Sequence, residues 1–158
     1  MLFAGLVFYK IAFITFAIAL GGLLYQHVVE FRNWSAEIPE SLRAYREFFR
    51  VSDFGRFFKM FMPLSSLCLV IAVVMLWNAE PQANTWLLTS AAGMFITAGF
   101  TNIWFVPMHK KLFEESIDNS RTDELTRIAA RWKTGNYVRI AIMFVTLAAF
   151  AEAIKILS

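Results

Sequence analysis

Four apolar runs, at residues 2–26, 57–78, 85–106 and 137–157, limit what this 158-residue chain can fold into. Each is long enough to carry an α-helix across the hydrocarbon core of a bilayer, which takes about 20 residues. Hydrophobic residues make up 58% of the sequence, and the excess lies in these blocks rather than being spread as it would be for a soluble core. The fold expected is therefore all-α: an integral membrane four-helix bundle forming one domain over residues 1–158, with the lipid bilayer as its first partner. A net charge of +3 and the absence of basic runs interleaved with aromatic residues argue against nucleic acid as a partner. The single cysteine, Cys68, lies inside an apolar run, so no disulfide framework or cysteine metal site is available, and its expected role is that of a small buried hydrophobe.

The connection after the second run, "AEPQAN", is a tight turn at Pro81. The other two are about 30 residues each and amphipathic. "PESLRAYREFFRV" sets Leu42, Tyr45, Phe48 and Phe49 at helical spacing, with Ser41 placed to cap the start. "DNSRTDELTRIAARW" sets Leu125, Ile128 and Trp132 on one side, with Asp118, Ser120 or Thr122 as the cap. These segments are expected to lie at the interface or to extend the spans beyond the membrane. They also hold most of the basic residues, Arg32 to Lys59 in the first and Lys110 to Lys133 in the third, whereas the short connection has none. The positive-inside rule then places both long connections in the cytoplasm and both termini outside, in a plasma (inner) membrane. Ala17-Ile18-Ala19 resembles a signal-peptidase site, but no basic segment precedes the apolar run and Lys10 interrupts it, so the first span is expected to be retained. No residue-level repeat relates the two halves.

The polar residues gather at one end of the spans. The first span ends in "GGLLYQHVVEFRNW", where His27 and Glu30, three residues apart, share a helix face, followed by Trp34. The third brings Asn102, Trp104 and, after Pro107, His109; the fourth opens with Arg131, Trp132, Asn136 and Arg139. Tyr, Trp and Arg also anchor helices wherever they leave a bilayer, which is the structural alternative for most of these positions. Arg139 stands apart, because an unpaired charge one turn inside a span costs at least ~2.5 kcal/mol and calls for a partner or a wet cavity. His27, Glu30 and His109 are the one set of side chains suited to a metal such as iron or zinc, though without a local His-x-x-x-His spacing. Haem between two histidines fits less well, since neither lies at mid-membrane. Farther out, Lys10 and Glu152 fall at similar depths and are expected either to pair or to reach separately for the headgroups.

"FTNIWFVPMHKKL" followed by "DELTRIAARWKTGNYVR" resembles the signature half of the DUF1772 family of four-span membrane proteins, which includes the fungal anthrone oxygenases. Asn102, Pro107, Arg131, Trp132, Asn136 and Arg139 match its pattern. His109 stands where asparagine is expected, and Asn136 where histidine is frequent. The resemblance implies a four-span fold with a pocket and, in one branch, oxygenation of a lipophilic aromatic molecule. On that reading His27 is a general base tuned by Glu30, with a pKa suited to neutral pH. Arg139 and Asn102 stabilise an oxyanion, and Trp34, Trp104 and Trp132 stack on the ring, with His109, Arg131 and Asn136 completing the substrate pocket. No cofactor is required, because an electron-rich carbanion reacts with dioxygen directly. The rival reading is a non-enzymatic binder, transporter accessory or assembly factor, and a homo-oligomer is compatible with either.

Overall fold

The computed structural model describes all residues, 1–158, and contains helices and no strands. Five helices follow one another: α1 (Leu2–Trp34), α2 (Glu40–Phe48), α3 (Phe54–Leu76), α4 (Pro81–Glu114) and α5 (Asn119–Leu157). All but α2 are long and apolar enough to cross a membrane, so the protein is an all-α integral membrane protein with four spans. Three of the helices outrun the apolar stretches that announced them. At 1.5 Å per residue, the 39 residues of α5 extend about 58 Å, roughly twice the hydrocarbon thickness. Of the two amphipathic connections, the second is therefore a continuation of α4 and α5, and only the first contains a separate helix, α2.

Of the expected caps, Asp118 is found and Ser41 is not. Asp53 caps α3 by accepting the Arg56 N–H at 3.1 Å, and Asp118 begins α5 by accepting the Ser120 N–H at 3.1 Å. Ser41 caps nothing. Its hydroxyl donates to the Trp34 carbonyl at 2.8 Å and accepts the Glu37 N–H at 3.1 Å, tying the turn that reverses the chain between α1 and α2.

Inward-facing residues on α1 and α5 recur every three or four positions, so each helix presents one continuous stripe. On α1 it runs Tyr9, Ala12, Phe16, Ala19, Leu23, His27, Glu30 and Trp34; on α5 it runs Leu125, Ile128, Trp132, Asn136, Arg139, Met143, Thr146, Phe150 and Ala153. α1 packs along α3 and also against α5, and α5 packs along α4, whereas α3 and α4 meet only sparingly. Glycines bring α4 and α5 close together. A Cβ on Gly93 would run into the Thr146 side chain, and one on Gly135 into the Trp104 indole.

Two separate apolar cores result. The larger lies within the spans and includes Tyr9, Phe16, Leu23, Met94, Met143 and Phe150. The smaller lies beyond the polar ends of the helices and is built from Phe31, Trp34, Leu42, Phe105, Leu112, Leu125 and Trp132. α2 closes over this second core. Arg46 donates from Nε to the Leu112 carbonyl at 2.8 Å and from Nη1 to the Glu115 carbonyl at 2.6 Å, capping the last turn of α4. Arg43 reaches Asn119 Oδ1 at 2.5 Å. At the opposite end, Lys10 does not meet Glu152. Lys10 is exposed, and Glu152 pairs with Lys155 one turn along its own helix at 3.4 Å. The two helices turn these residues away from each other.

Candidate functional site

Between the two cores the inward stripes become polar. On α1 the stripe leaves the larger core at Leu23, presents His27 and Glu30, and enters the smaller core at Phe31. On α5 it leaves the smaller core at Trp132, presents Asn136 and Arg139, and resumes at Met143. Thr97 supplies the corresponding position on α4, where its hydroxyl bonds back to the Gly93 carbonyl. The exposures are 9% for His27, 5% for Glu30, 0% for Asn136 and 7% for Arg139. A layer of buried polar side chains across a bundle destabilises it unless each group is satisfied, at about 1–3 kcal/mol for every group left bare.

Several are left bare. Five buried side-chain polar atoms lack a hydrogen-bond partner, and four of them belong to this layer and its neighbour Gln26: Gln26 Oε1, His27 Nδ1, Asn136 Nδ2 and Arg139 Nε. The Arg139 guanidinium donates from Nη2 to Asn136 Oδ1 at 2.7 Å and lies 4.0 Å from the centre of the Phe105 ring, with Phe58 of α3 at 6.0 Å. No carboxylate pairs with it. The His27 ring meets Tyr137 of α5 edge-on at 4.5 Å and stacks on Phe31 at 6.2 Å. Glu30 does not engage His27. Its carboxylate accepts the Tyr45 hydroxyl of α2 at 2.8 Å, and burial together with this bond pushes the Tyr45 phenol up.

The backbone is irregular at the same level. Residues Gln26–Glu30 of α1 and Thr101–Phe105 of α4 each form a single π-turn, and a third spans Lys110–Glu114. Pro107, with no N–H to offer the carbonyl four residues back, accounts for the irregularity in α4. The α1 turn has no proline, and π-turns inside helices frequently mark functional sites.

The remaining predicted site residues lie elsewhere. Asn102 is exposed and donates to the Ala98 carbonyl of its own helix at 2.9 Å. His109 is half-exposed and pairs with Glu114 through Nδ1 at 3.3 Å, beside Phe113. Since Glu30 binds Tyr45 and His109 binds Glu114, the trio His27, Glu30 and His109 is not assembled as a metal site, and no other group of three His, Cys, Asp or Glu side chains is. Trp34 and Trp132 are enclosed, 6.3 Å apart edge-to-face, with Phe113 at 5.5 Å and 5.9 Å respectively. They form the packed floor of the smaller core rather than an open stacking surface. Trp104 is half-buried, stacks on Phe100 at 5.8 Å and carries the exposed Arg131 over its ring at 5.2 Å.

Sequence reasoning missed Tyr45, Tyr137, Phe58 and Phe105 as the immediate neighbours of the polar layer. Phe105 was within reach, because it continues the α4 stripe Leu87, Ser90, Met94, Thr97. Tyr45 comes from a connection whose docking no local pattern encodes.

The buried layer is closed toward the loop-bearing end by the smaller core and by α2. Elsewhere the packing is looser: α3 and α4 meet only sparingly and carry the half-buried rings of Phe58, Phe61 and Phe100, of which Phe58 lies 6.0 Å from the Arg139 guanidinium. The layer thus holds a cation, an amide and an imidazole that are buried and incompletely hydrogen-bonded. No curated protein and no solved structure matches the chain. The sequence profile of the anthrone oxygenase family matches residues 54–150, more than half of the chain, including all of α3 and α4 and both Asn136 and Arg139 of α5. The chain belongs to the anthrone oxygenase family.

Proposed function

We propose that the protein is a small membrane oxygenase that oxidises a lipophilic, enolisable aromatic ketone of the anthrone type. The substrate reaches the polar layer from the bilayer, through the aromatic seam between α3 and α4. The observation that carries this reading is the buried His27 imidazole, whose Nδ1 has no hydrogen-bond partner, facing the same layer as an arginine with no counter-ion. The distribution of Lys and Arg supports a cytoplasmic position for this end of the bundle.

In this scheme His27 takes a proton from the methylene carbon of the anthrone. The electron pair left behind delocalises onto the ketone oxygen, where the Arg139 guanidinium offsets the charge. The resulting carbanion gives two electrons to dioxygen and forms a carbon–oxygen bond. The proton held by the imidazolium passes to the outer oxygen, giving a hydroperoxide. Removal of the second methylene proton breaks the oxygen–oxygen bond and releases water, leaving a quinone. One ketone and one dioxygen thus yield one quinone and one water, and no external reductant is consumed. Glu30, engaged with Tyr45, holds α2 against α1 and acts on the site through that contact rather than as a partner of His27.

The test is oxygen uptake by purified protein in lipid nanodiscs supplied with anthrone. The reading predicts equal amounts of oxygen consumed and anthraquinone formed, at a rate well above that of empty nanodiscs. His27→Ala should reduce the rate by about 10²-fold or more, the range of a lost general base, while the protein stays inserted. A wild-type rate equal to that of empty nanodiscs would remove the oxygenase assignment.

A further inference from the structure

We propose that Arg139 and Asn136 form a preformed anion seat, so that the site binds a lipophilic organic acid as its conjugate base before any oxygen arrives. This rests on the reading of the polar layer as the substrate site and adds what that reading leaves open, the charge state and class of the ligand. The seat is assembled from side chains that are themselves almost completely buried, with Asn136 at 0% and Arg139 at 7% exposure. They are joined by the bond from Nη2 to Oδ1 at 2.7 Å, which engages the amide oxygen of Asn136 and leaves two buried donor nitrogens, Arg139 Nε and Asn136 Nδ2, without partners. Both are donors. The ligand that completes them must therefore bring acceptors.

Charge decides between a neutral acceptor and an anion. Arg139 has no acidic residue in contact, and the nearest buried carboxylate, Glu30, is already bonded to Tyr45. Moving a guanidinium out of water carries a penalty of several kcal/mol unless an opposite charge accompanies it. Phe105 at 4.0 Å supplies only the weaker compensation of a ring face. A phenolate, enolate or carboxylate at this position would neutralise the layer and satisfy both donors together. The rings of Phe58 and Phe105, 6.0 and 4.0 Å from the guanidinium, fit an anion carried on an aromatic or otherwise apolar body. Asn136 is thus a specificity residue: its amide oxygen orients the guanidinium and its N–H contacts the ligand oxygen.

The experiment uses naphthol and its methyl ether, which share a shape but differ in having an ionisable hydroxyl, and it is run without oxygen on the full-length protein in nanodiscs. Two quantities are read: affinity, and the ultraviolet absorbance of the naphtholate ion at a pH where free naphthol is neutral. The proposal predicts at least about tenfold tighter binding of naphthol than of the ether, the size of one charge-assisted hydrogen bond, and a naphtholate signal from the bound ligand. Arg139→Met should abolish the signal and equalise the two affinities, Arg139→Lys should restore part of the signal, and Asn136→Leu should weaken naphthol binding without removing the signal. Thermal scans of each variant establish that it is folded, and Asn136→Leu supplies an independent reading if Arg139→Met does not accumulate. Equal affinity for naphthol and its ether in the wild type, or a naphtholate signal that persists in Arg139→Met, would overturn the proposal. Because no turnover is involved, the anion seat stands or falls separately from oxygenation: anion binding without oxygen uptake would refute the proposed activity and leave the seat intact.

Discussion

Removing the buried arginine together with its asparagine should make this protein more stable and inactive. The Arg139 guanidinium is held by one bond to Asn136 and by the face of Phe105, with Nε unbonded. Its burial costs several kcal/mol. Against that stand about 2 kcal/mol for a desolvated cation–ring contact and about 1.5–3 kcal/mol for a hydrogen bond from a charged donor. Arg139→Met alone relieves the burial cost but forfeits both contacts and strands Asn136 Oδ1, so its net effect on stability should be small. Adding Asn136→Leu removes the stranded amide, and the pair then resembles other buried ionic groups replaced by apolar side chains of similar volume, which gain about 1–4 kcal/mol. For a chain of this length that corresponds to a rise of at least a few degrees in the unfolding temperature, at about 2–4 °C per kcal/mol. Tryptophan fluorescence during heating in nanodiscs measures it. A double variant that melts below the wild type would refute the reasoning, because the arginine–asparagine pair would then be a stabilising part of the packing around α5 rather than a group kept unsatisfied for a ligand.

Three further outcomes follow from the surrounding structure. Arg46→Gln should lower stability by roughly 1–3 kcal/mol, through lost charge-assisted bonds to the Leu112 and Glu115 carbonyls, and should open the segment around α2 to limited proteolysis; unchanged protease resistance would contradict the capping role. Gly135→Leu forces a side chain against the Trp104 indole and should cost about 1–3 kcal/mol by overpacking the α4–α5 contact, read as a lower unfolding temperature, and a neutral effect would show that the two helices are not held at this spacing. Burial and the Glu30 bond raise the Tyr45 phenol above its ordinary value near 10. The protonated phenol is thus favoured in the folded state, so its contribution is complete below about pH 10 and is lost as the pH rises beyond it. A phenolate absorbance titration should show a late-ionising component in the wild type that shrinks by one tyrosine in Tyr45→Phe; a late component unchanged by that substitution would mean that the clasp between α1 and α2 is not formed in solution.

Much of the fold was legible because apolar length and helical periodicity are local properties. The four runs fix the number of spans, and the three-residue spacing of His27 and Glu30 correctly places both on the inward face of α1. Depth along a helix can be counted in this way, but the direction a side chain faces depends on angle as well. Asn102 lies at the expected depth, yet it is one residue off the stripe Met94, Thr97, Phe105, and it points outward; His109 is likewise one residue past the buried Met108. On α5 the stripe runs unbroken through Trp132, Asn136, Arg139 and Met143, so Asn136 is the asparagine that meets the arginine. The π-turns add to the difficulty, since each inserts a residue and rotates everything beyond it relative to a regular count. The partner of Glu30 was not legible at all. Tyr45 arrives from a separate helix whose docking depends on Arg46 and Arg43 finding carbonyl and amide oxygens some 70 residues farther along the chain. Lys10 and Glu152 show the same limit, with matched depth and unmatched direction.

The central claim is that His27 removes a carbon-bound proton from a lipophilic ketone held in the buried polar layer. Exchange of the anthrone methylene protons in heavy water, without oxygen, measures that step alone. The account predicts that wild-type protein in nanodiscs accelerates exchange over empty nanodiscs and that His27→Ala, still inserted and folded, loses about 10²-fold or more of that acceleration. Exchange that is equally fast in His27→Ala, or absent from a wild type that still consumes oxygen with anthrone, would contradict it.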